Sequence, residues 1–250
     1  MGANPLHGIL MTEPVRLSKR VVALAQCSRR EAEQYIEGGW VRVDGEVEER
    51  PQFMVAEQHV SIDPQARLSP IAPVSILLNL AEARPAELGQ ADIEALLAPE
   101  NRWEGDFSGV RPLRRHRQQL GMPQPLPPGG TGLVVCSQDA RILRMLNDQQ
   151  QPVEQEFLVD IRGQLDDKGL ALLNHGLRIN HYALPPAKVS RQSEQRLRFA
   201  FKRLQADRIG MMCQAVGVQA TSLKRLRIGR QSLSKLPPGR WRYLAPFERF

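Results

Sequence analysis

The chain has 250 residues, with 34 Lys or Arg against 27 Asp or Glu and a net charge of +7. Hydrophobic residues make up 42% and charged residues 24%, which fits one sizeable buried core or one core plus a small appended domain. No apolar run reaches membrane-spanning length and no basic region precedes an apolar stretch near Met1, so neither a spanning helix nor a signal peptide is expected, and the predicted location is cytoplasmic.

Residues 1–14 read as a disordered leader, with Met11 as a second possible start. From Val15, Leu17, Val21, Leu24 and Ala25 recur at helical spacing and a break follows at Gln26-Cys27. Ser28 then sits where a second helix needs an N-cap, with Glu31 three residues on to complete a capping box. That helix presents Ala32, Tyr35 and Ile36 to a core and ends at Gly38-Gly39. "WVRVDGEVEE" alternates around Asp44-Gly45, a hairpin signal, and "HVSID" closes the segment as a strand.

The residues Arg16-Leu17-Ser18-Lys19, Ser28 to Ala32, Ile36 to Gly39 and Val41 to Gly45 carry a resemblance to the S-four (S4) domain. This small RNA-binding module is first known from ribosomal protein four of the small subunit. The resemblance spans about fifty residues. It implies that Arg16, Lys19, Ser28, Arg29, Arg30 and Arg42 form an RNA-binding face. The physical chemistry agrees, because Arg29 and Arg30 lie on the first turn of a helix whose free amides favour phosphate. An exposed helical pair with ordinary surface charge is the alternative.

Residues 64–73 form a Pro-punctuated linker. Beyond it the pattern predicts a buried strand at Val74–Ala81, a short helix over "LGQADIEALLAP", a strand at Gly132–Ser137, and a helix with Ile142, Leu143 and Leu146 inward. Another strand over "VEQEFLVDIRGQL" and a short helix closed by Gly176 come next. Leu197, Phe199 and Phe201 alternate toward a core; a helix over "DRIGMMCQAVG" and strands over "TSLKRLRIGRQSL" and "GRWRYL" complete the chain. The fold class expected is α+β: a small N-terminal αL (S-four-like) domain at 15–63, then a body of mostly antiparallel sheet with helices at 74–250.

Following an S-four module, this order resembles the bacterial ribosomal RNA pseudouridine synthases, nearest the branch that acts on large-subunit RNA and, in some members, a transfer-RNA anticodon. The closing stretch "VGVQATSLKRLRIGRQSLSKLPPGRWRYL" keeps the family outline. The resemblance implies isomerisation of uridine to its C-glycoside in structured RNA, with no metal and no cofactor. An aspartate acts on the flipped-out nucleotide, an aromatic ring stacks on the base, and an arginine pairs with the aspartate.

The match fails at those positions. The family's Gly-Arg-Leu-Asp falls on Gln124-Pro125-Leu126-Pro127, so Pro127 fills the aspartate slot. Its Asn-Lys-Pro appears as Asn79-Leu80-Ala81, and its Lys-x-Tyr-x-Val as Gln155-Glu156-Phe157-Leu158-Val159, leaving Phe157 as the base-stacking ring. Its Arg-Gln-Ile-Arg-Arg-Met appears as Asp207 to Met212, with Gly210 where the pairing arginine belongs. Removing one member of a buried ion pair costs roughly 3–5 kcal/mol, whereas replacing both is often near neutral. No catalytic residue is therefore assigned, and the enzyme class is left open.

"GQLDDKGLALLNHG" copies the catalytic signature with Asp166 in the aspartate position, but two residues are missing before the glycine; a capped helix explains it. His7, His59, His116, His175 and His181 have no metal spacing, and Cys27, Cys136 and Cys213 read as reduced, buried thiols. Trp40 and Trp241 read as packing residues, with base stacking as the alternative. Twelve Lys or Arg against the single acid Asp207 between Arg196 and Arg242, with "RPLRRHRQQ" at 111–119, suit a polyanion partner; a merely basic surface is the alternative.

The expected function is RNA binding by a monomeric, catalytically impaired relative of these synthases. An active synthase using a displaced aspartate, Asp139 or Asp166, is the first alternative, and a regulatory or assembly factor the second. The expected partner is structured RNA, ribosomal or transfer.

Overall fold

The computed structural model describes residues 13–83, 89–179, 182–203 and 205–250. His7, His181 and the leader up to residue 12 lie outside the described residues. The chain divides into two units, one comprising the residues up to Ala72 with Pro112–Arg115, the other Pro73–Arg111 with His116–Phe250.

In the first unit, β1 (Val15–Arg16) leads directly into α1 (Leu17–Ala25), and Gln26 ends that helix in a left-handed conformation (φ 51°). Helix α2 (Arg29–Glu37) begins at Ser28, whose hydroxyl accepts from the Glu31 amide while the Glu31 carboxylate accepts from the Ser28 amide. Strands β2 (Val41–Val43) and β3 (Glu46–Val47) form the expected hairpin; Asp44 and Gly45 both have positive φ, as a two-residue turn of this twist requires. Strand β4 (Met54–Val55) pairs with β1, and β5 (Val60–Ile62) with β2. Leu17, Val21, Ala32, Ile36, Val41 and Val55 make the core, with Tyr35 packed at its edge. Leu24, one of the residues at helical spacing, is 53% exposed, and Val22 of the same helix packs against the core. Pro112–Arg115, read in the sequence as part of the body, joins this unit: the Arg114 amide donates to Glu49 (2.6 Å) and Arg115 to Glu37 (2.8 Å).

The second unit is built on an eight-stranded sheet. Its strands are β6 (Ser75–Leu80), β7 (Gly130–Ser137), β8 (Gln155–Arg162), β11 (Lys188–Ser193), β12 (Arg196–Phe201), β13 (Gln219–Ile228), β14 (Gln231–Ser232) and β15 (Trp241–Tyr243). The order is β11-β12-β8-β13-β7-β6-β15, with β14 beside β13, and every pairing is antiparallel except β13 with β7. The helices are α3 (Gln90–Leu96), α4 (Ala140–Asn147), α5 (Asp167–His175) and α6 (Ile209–Ala215); a short ribbon, β9 (Arg178–Ile179) and β10 (Tyr182–Ala183), follows α5. None of the described helices is long and apolar enough to cross a membrane.

Alternation along the strands sorts the core. Phe157, Val159, Leu197 and Phe199 face α5 and α6, while Ile76, Leu78, Val134 and Cys136 pack with Ile93, Trp241 and Tyr243. Leu126 packs against both clusters. The opposite side of β6 and β7 presents Leu77, Leu133 and Val135 to Leu146 of α4. Cys136 and Cys213 are buried, which pushes their thiols up to about 12 and about 11; Cys27, expected to be buried as well, is only half-buried. Trp241 is 1% exposed and its indole N–H donates to the Ala98 carbonyl, so it packs.

His116 is 4% exposed, edge-on to Tyr243 and 3.1 Å from its hydroxyl through Nδ1. Burial pushes its imidazole down to about 4. The unfolded chain binds a proton at this position near pH 6.5, whereas the folded chain resists until about 4. Stability held above 6.5 is therefore lost as the pH falls through that interval. Urea unfolding at pH 5 and 7.5 is expected to show a drop of about 1–2 kcal/mol from this group, absent in His116→Gln.

Candidate functional site

The residues singled out for RNA binding are spread over several parts of the first unit. Arg16 stands at the N-cap position of α1 without a side-chain capping bond, Lys19 lies on its first turn, and Arg29 on the first turn of α2; these three residues line one groove. Arg29 makes an exposed ion pair with Glu33 (3.0 Å), a pairing of small energy that a phosphate can displace. Arg30 lines a different, polar groove with Glu37, Ser69 and Arg115. Arg42 is exposed on β2, and its guanidinium donates to the Gly45 carbonyl (2.9 Å). Ser28 serves the cap.

In the second unit, the loop before β7 is closed by its own backbone. The Gly130 amide donates to the Pro127 carbonyl (2.8 Å), and Pro123 and Pro127 are buried. Gly132, at φ +93°, lies so close to β13 that a Cβ would stand 2.3 Å from the Arg225 carbonyl oxygen; only glycine fits.

Arg225 is the pivot of this region, and the sequence counted it only as one of twelve basic residues. It is 1% exposed. Its Nε donates to the Leu133 carbonyl (2.7 Å), and its Nη1 to the Gln124 carbonyl (2.8 Å) and the Gln155 side chain (3.1 Å). Its Nη2 has no partner, and among the described residues no carboxylate pairs with it. Burial pushes the guanidinium down to about 9, still a cation at neutral pH. It lies 5.9 Å from the centre of the Phe157 ring. Phe157, the ring singled out for base stacking, is fully buried and stacks on Phe201 (5.7 Å, 8° between planes). Gly210 stands at the start of α6 with open space where a side chain would begin.

The two displaced aspartates both have structural work. Asp139 caps α4 by accepting from the Arg141 amide (2.9 Å), and hydrogen bonds from Arg141 hold its carboxyl below the usual range. Asp166 caps α5 by accepting from the Gly169 amide (2.7 Å). Asn79 is buried; its side-chain amide donates to the Leu236 carbonyl (2.8 Å) and its Oδ1 has no partner. Among the described residues, no group of three or more His, Cys, Asp or Glu is arranged to hold a metal.

The basic stretch at 196–242 is less uniformly cationic in space than in sequence. Arg196 pairs with Asp160 (2.6 Å), Arg198 with Glu156 (2.6 Å), and Arg227 with Glu154 (2.5 Å) and Glu156 (3.1 Å), all across strands from β8 or the residue before it. Arg242 is buried against Glu248 (2.6 Å). Lys202, Arg203, Arg208, Arg230 and Lys235 remain exposed.

Comparison with known proteins places these observations. The S4 domain model matches residues 15–63. The dual-specificity RNA pseudouridine synthase RluF of Shigella flexneri is 27% identical over 248 residues, covering 96% of this chain and 79% of that protein. The ribosomal large subunit pseudouridine synthase B of Yersinia pestis is 27% identical over 237 residues, covering 90% and 71%. A crystal structure of a pseudouridylate synthase superimposes with a TM-score of 0.57 at 18% identity, covering 92% of this chain and 96% of that one, and so shares the fold.

Proposed function

Because the chain belongs to the ribosomal RNA pseudouridine synthase family and carries an S4 domain at 15–63, we propose that it grips structured RNA through that domain and no longer isomerises uridine. The observation that carries this reading is the loop that fills the aspartate slot: Pro127 is buried and its carbonyl accepts from the Gly130 amide, and among the described residues no carboxylate pairs with Arg225, whose guanidinium holds the same loop at the Gln124 carbonyl. A working site of this chemistry needs an aspartate beside a cation, and Pro127 supplies neither a carboxylate nor a backbone donor. Asp139 and Asp166 are committed as helix caps, which counts against a displaced catalytic aspartate. We assign 15–63 to RNA binding, 64–73 to a linker and 74–250 to the synthase-like body. The RNA is ribosomal, with transfer RNA the alternative suggested by dual-specificity relatives, and binding takes place in the cytoplasm.

The binding half is tested on the S4 face. Arg29 and Arg30 are exposed at the start of α2, where free amides already favour phosphate. Arg29→Ala with Arg30→Ala is expected to weaken binding to a ribosomal RNA hairpin roughly tenfold and to lower the slope of log affinity against log salt by about 1–2. The fold is unaffected, since both side chains lie outside the core. Anisotropy titrations at several salt concentrations measure this, and unchanged affinity and slope contradict the assignment.

A further inference from the structure

We propose that the groove between β1, β4 and the first turns of α1 and α2 is a pocket for one unstacked nucleobase, so that the first unit recognises an unpaired nucleotide beside a duplex and not the duplex backbone alone. The inference rests on RNA being the partner, as argued above, and names what that RNA must present.

The groove encloses about 470 Å³, within the range of pockets that take small organic groups. Its walls are of two kinds. Pro14, Val15, Val22 and Met54 form an apolar side. Arg16, Lys19 and Arg29 form a cationic rim. Strand pairing sets Met54 directly across from Arg16, and the i, i+3 spacing on α1 sets Val22 on the same face as Lys19. Met54 is 49% exposed although it sits in a paired strand, and its unbranched, polarizable side chain suits a flat, variable ligand. Ser18 lines the same groove, and the residue is 5% exposed.

Each half of this surface excludes a simpler occupant. A duplex backbone alone makes no use of an apolar wall, and an apolar peptide side chain makes no use of three cations around it. A nucleobase joined to flanking phosphates uses both. Its face packs on Met54 and Val22, its phosphates meet Arg16, Lys19 and Arg29, and a polar base edge takes the Ser18 hydroxyl. Unstacked bases laid on side chains beneath a cationic rim are the general mode of single-strand recognition.

The test uses the full chain and two RNAs, a blunt duplex and the same duplex with one unpaired 3′ 2-aminopurine nucleotide. The overhang RNA is expected to bind about tenfold tighter than the blunt one, with a change in 2-aminopurine emission on binding. Met54→Gln, at an exposed position and checked for folding by its melting curve, is expected to bring the overhang RNA close to the blunt duplex and to abolish the emission change. Equal affinity of the unaltered protein for both RNAs overturns the pocket and leaves the groove to an apolar side chain of another protein. A preference that survives Met54→Gln overturns it too. Failure of both RNAs to bind overturns instead the RNA reading on which it rests.

Discussion

Replacing Arg225 by Ala is expected to lower the stability of the chain by about 3–5 kcal/mol, measured by urea denaturation at neutral pH. Three acceptors depend on this one guanidinium: the carbonyls of Leu133 and Gln124 and the side chain of Gln155. Each buried acceptor left without a donor costs roughly 1–3 kcal/mol. The substitution also opens a cavity beside the fully buried Phe157, for which a further penalty applies. Part is recovered by Arg225→Lys, which keeps the charge but not the planar fork that reaches three acceptors at once. Because Gln124 belongs to the loop before β7, Arg225→Ala is also expected to speed amide exchange at Gly130, whose partner is the Pro127 carbonyl. A loss below 1 kcal/mol means that the guanidinium is not the element holding the loop.

Restoring an aspartate by Pro127→Asp is expected to leave uridine isomerisation at background and to cost about 1–3 kcal/mol of stability. The slot is buried and Leu126 beside it packs into two apolar clusters, so a carboxyl there is pushed toward its neutral form. Gly210→Arg is accommodated on its own, because a side chain at 210 meets open space. Combined with Pro127→Asp it is still expected to give no turnover while Gln155 and Phe157 replace the family's lysine and tyrosine. Full turnover from Pro127→Asp alone means that the rest of the site is intact.

What was legible in the sequence follows the range of the interactions. The first unit is specified by neighbours in the chain, the Ser28–Glu31 capping box and the Asp44-Gly45 turn, and both appear as read. The β1–β4 pair was not legible, since two residues at each of two sites 38 positions apart carry no periodicity. That pair supplies Val15, Arg16 and Met54 to the groove. Most elements of the body were legible from strand alternation and helix caps, but the edge strand β11 (Lys188–Ser193), mostly polar and exposed, and the β9–β10 ribbon were not. The fate of the arginines was not. Arg225 faces the covered side of β13 and Lys224 the other, and a basic run in sequence does not say which side is covered. Glu154, Glu156 and Asp160 neutralise Arg196, Arg198 and Arg227 from a strand more than 30 residues away. Phe157 was singled out by its motif position, whereas its surroundings, Phe201 and Arg225, come from β12 and β13.

The most direct measurement of the central claim is single-turnover tritium release from 5-tritiated uridine in ribosomal RNA fragments, run with the unaltered protein beside its binding titration on the same RNA. Saturable, salt-dependent binding is expected, with release no faster than in protein-free controls. Release well above those controls that disappears in Asp139→Ala or Asp166→Ala contradicts that claim and establishes an active synthase with a displaced aspartate.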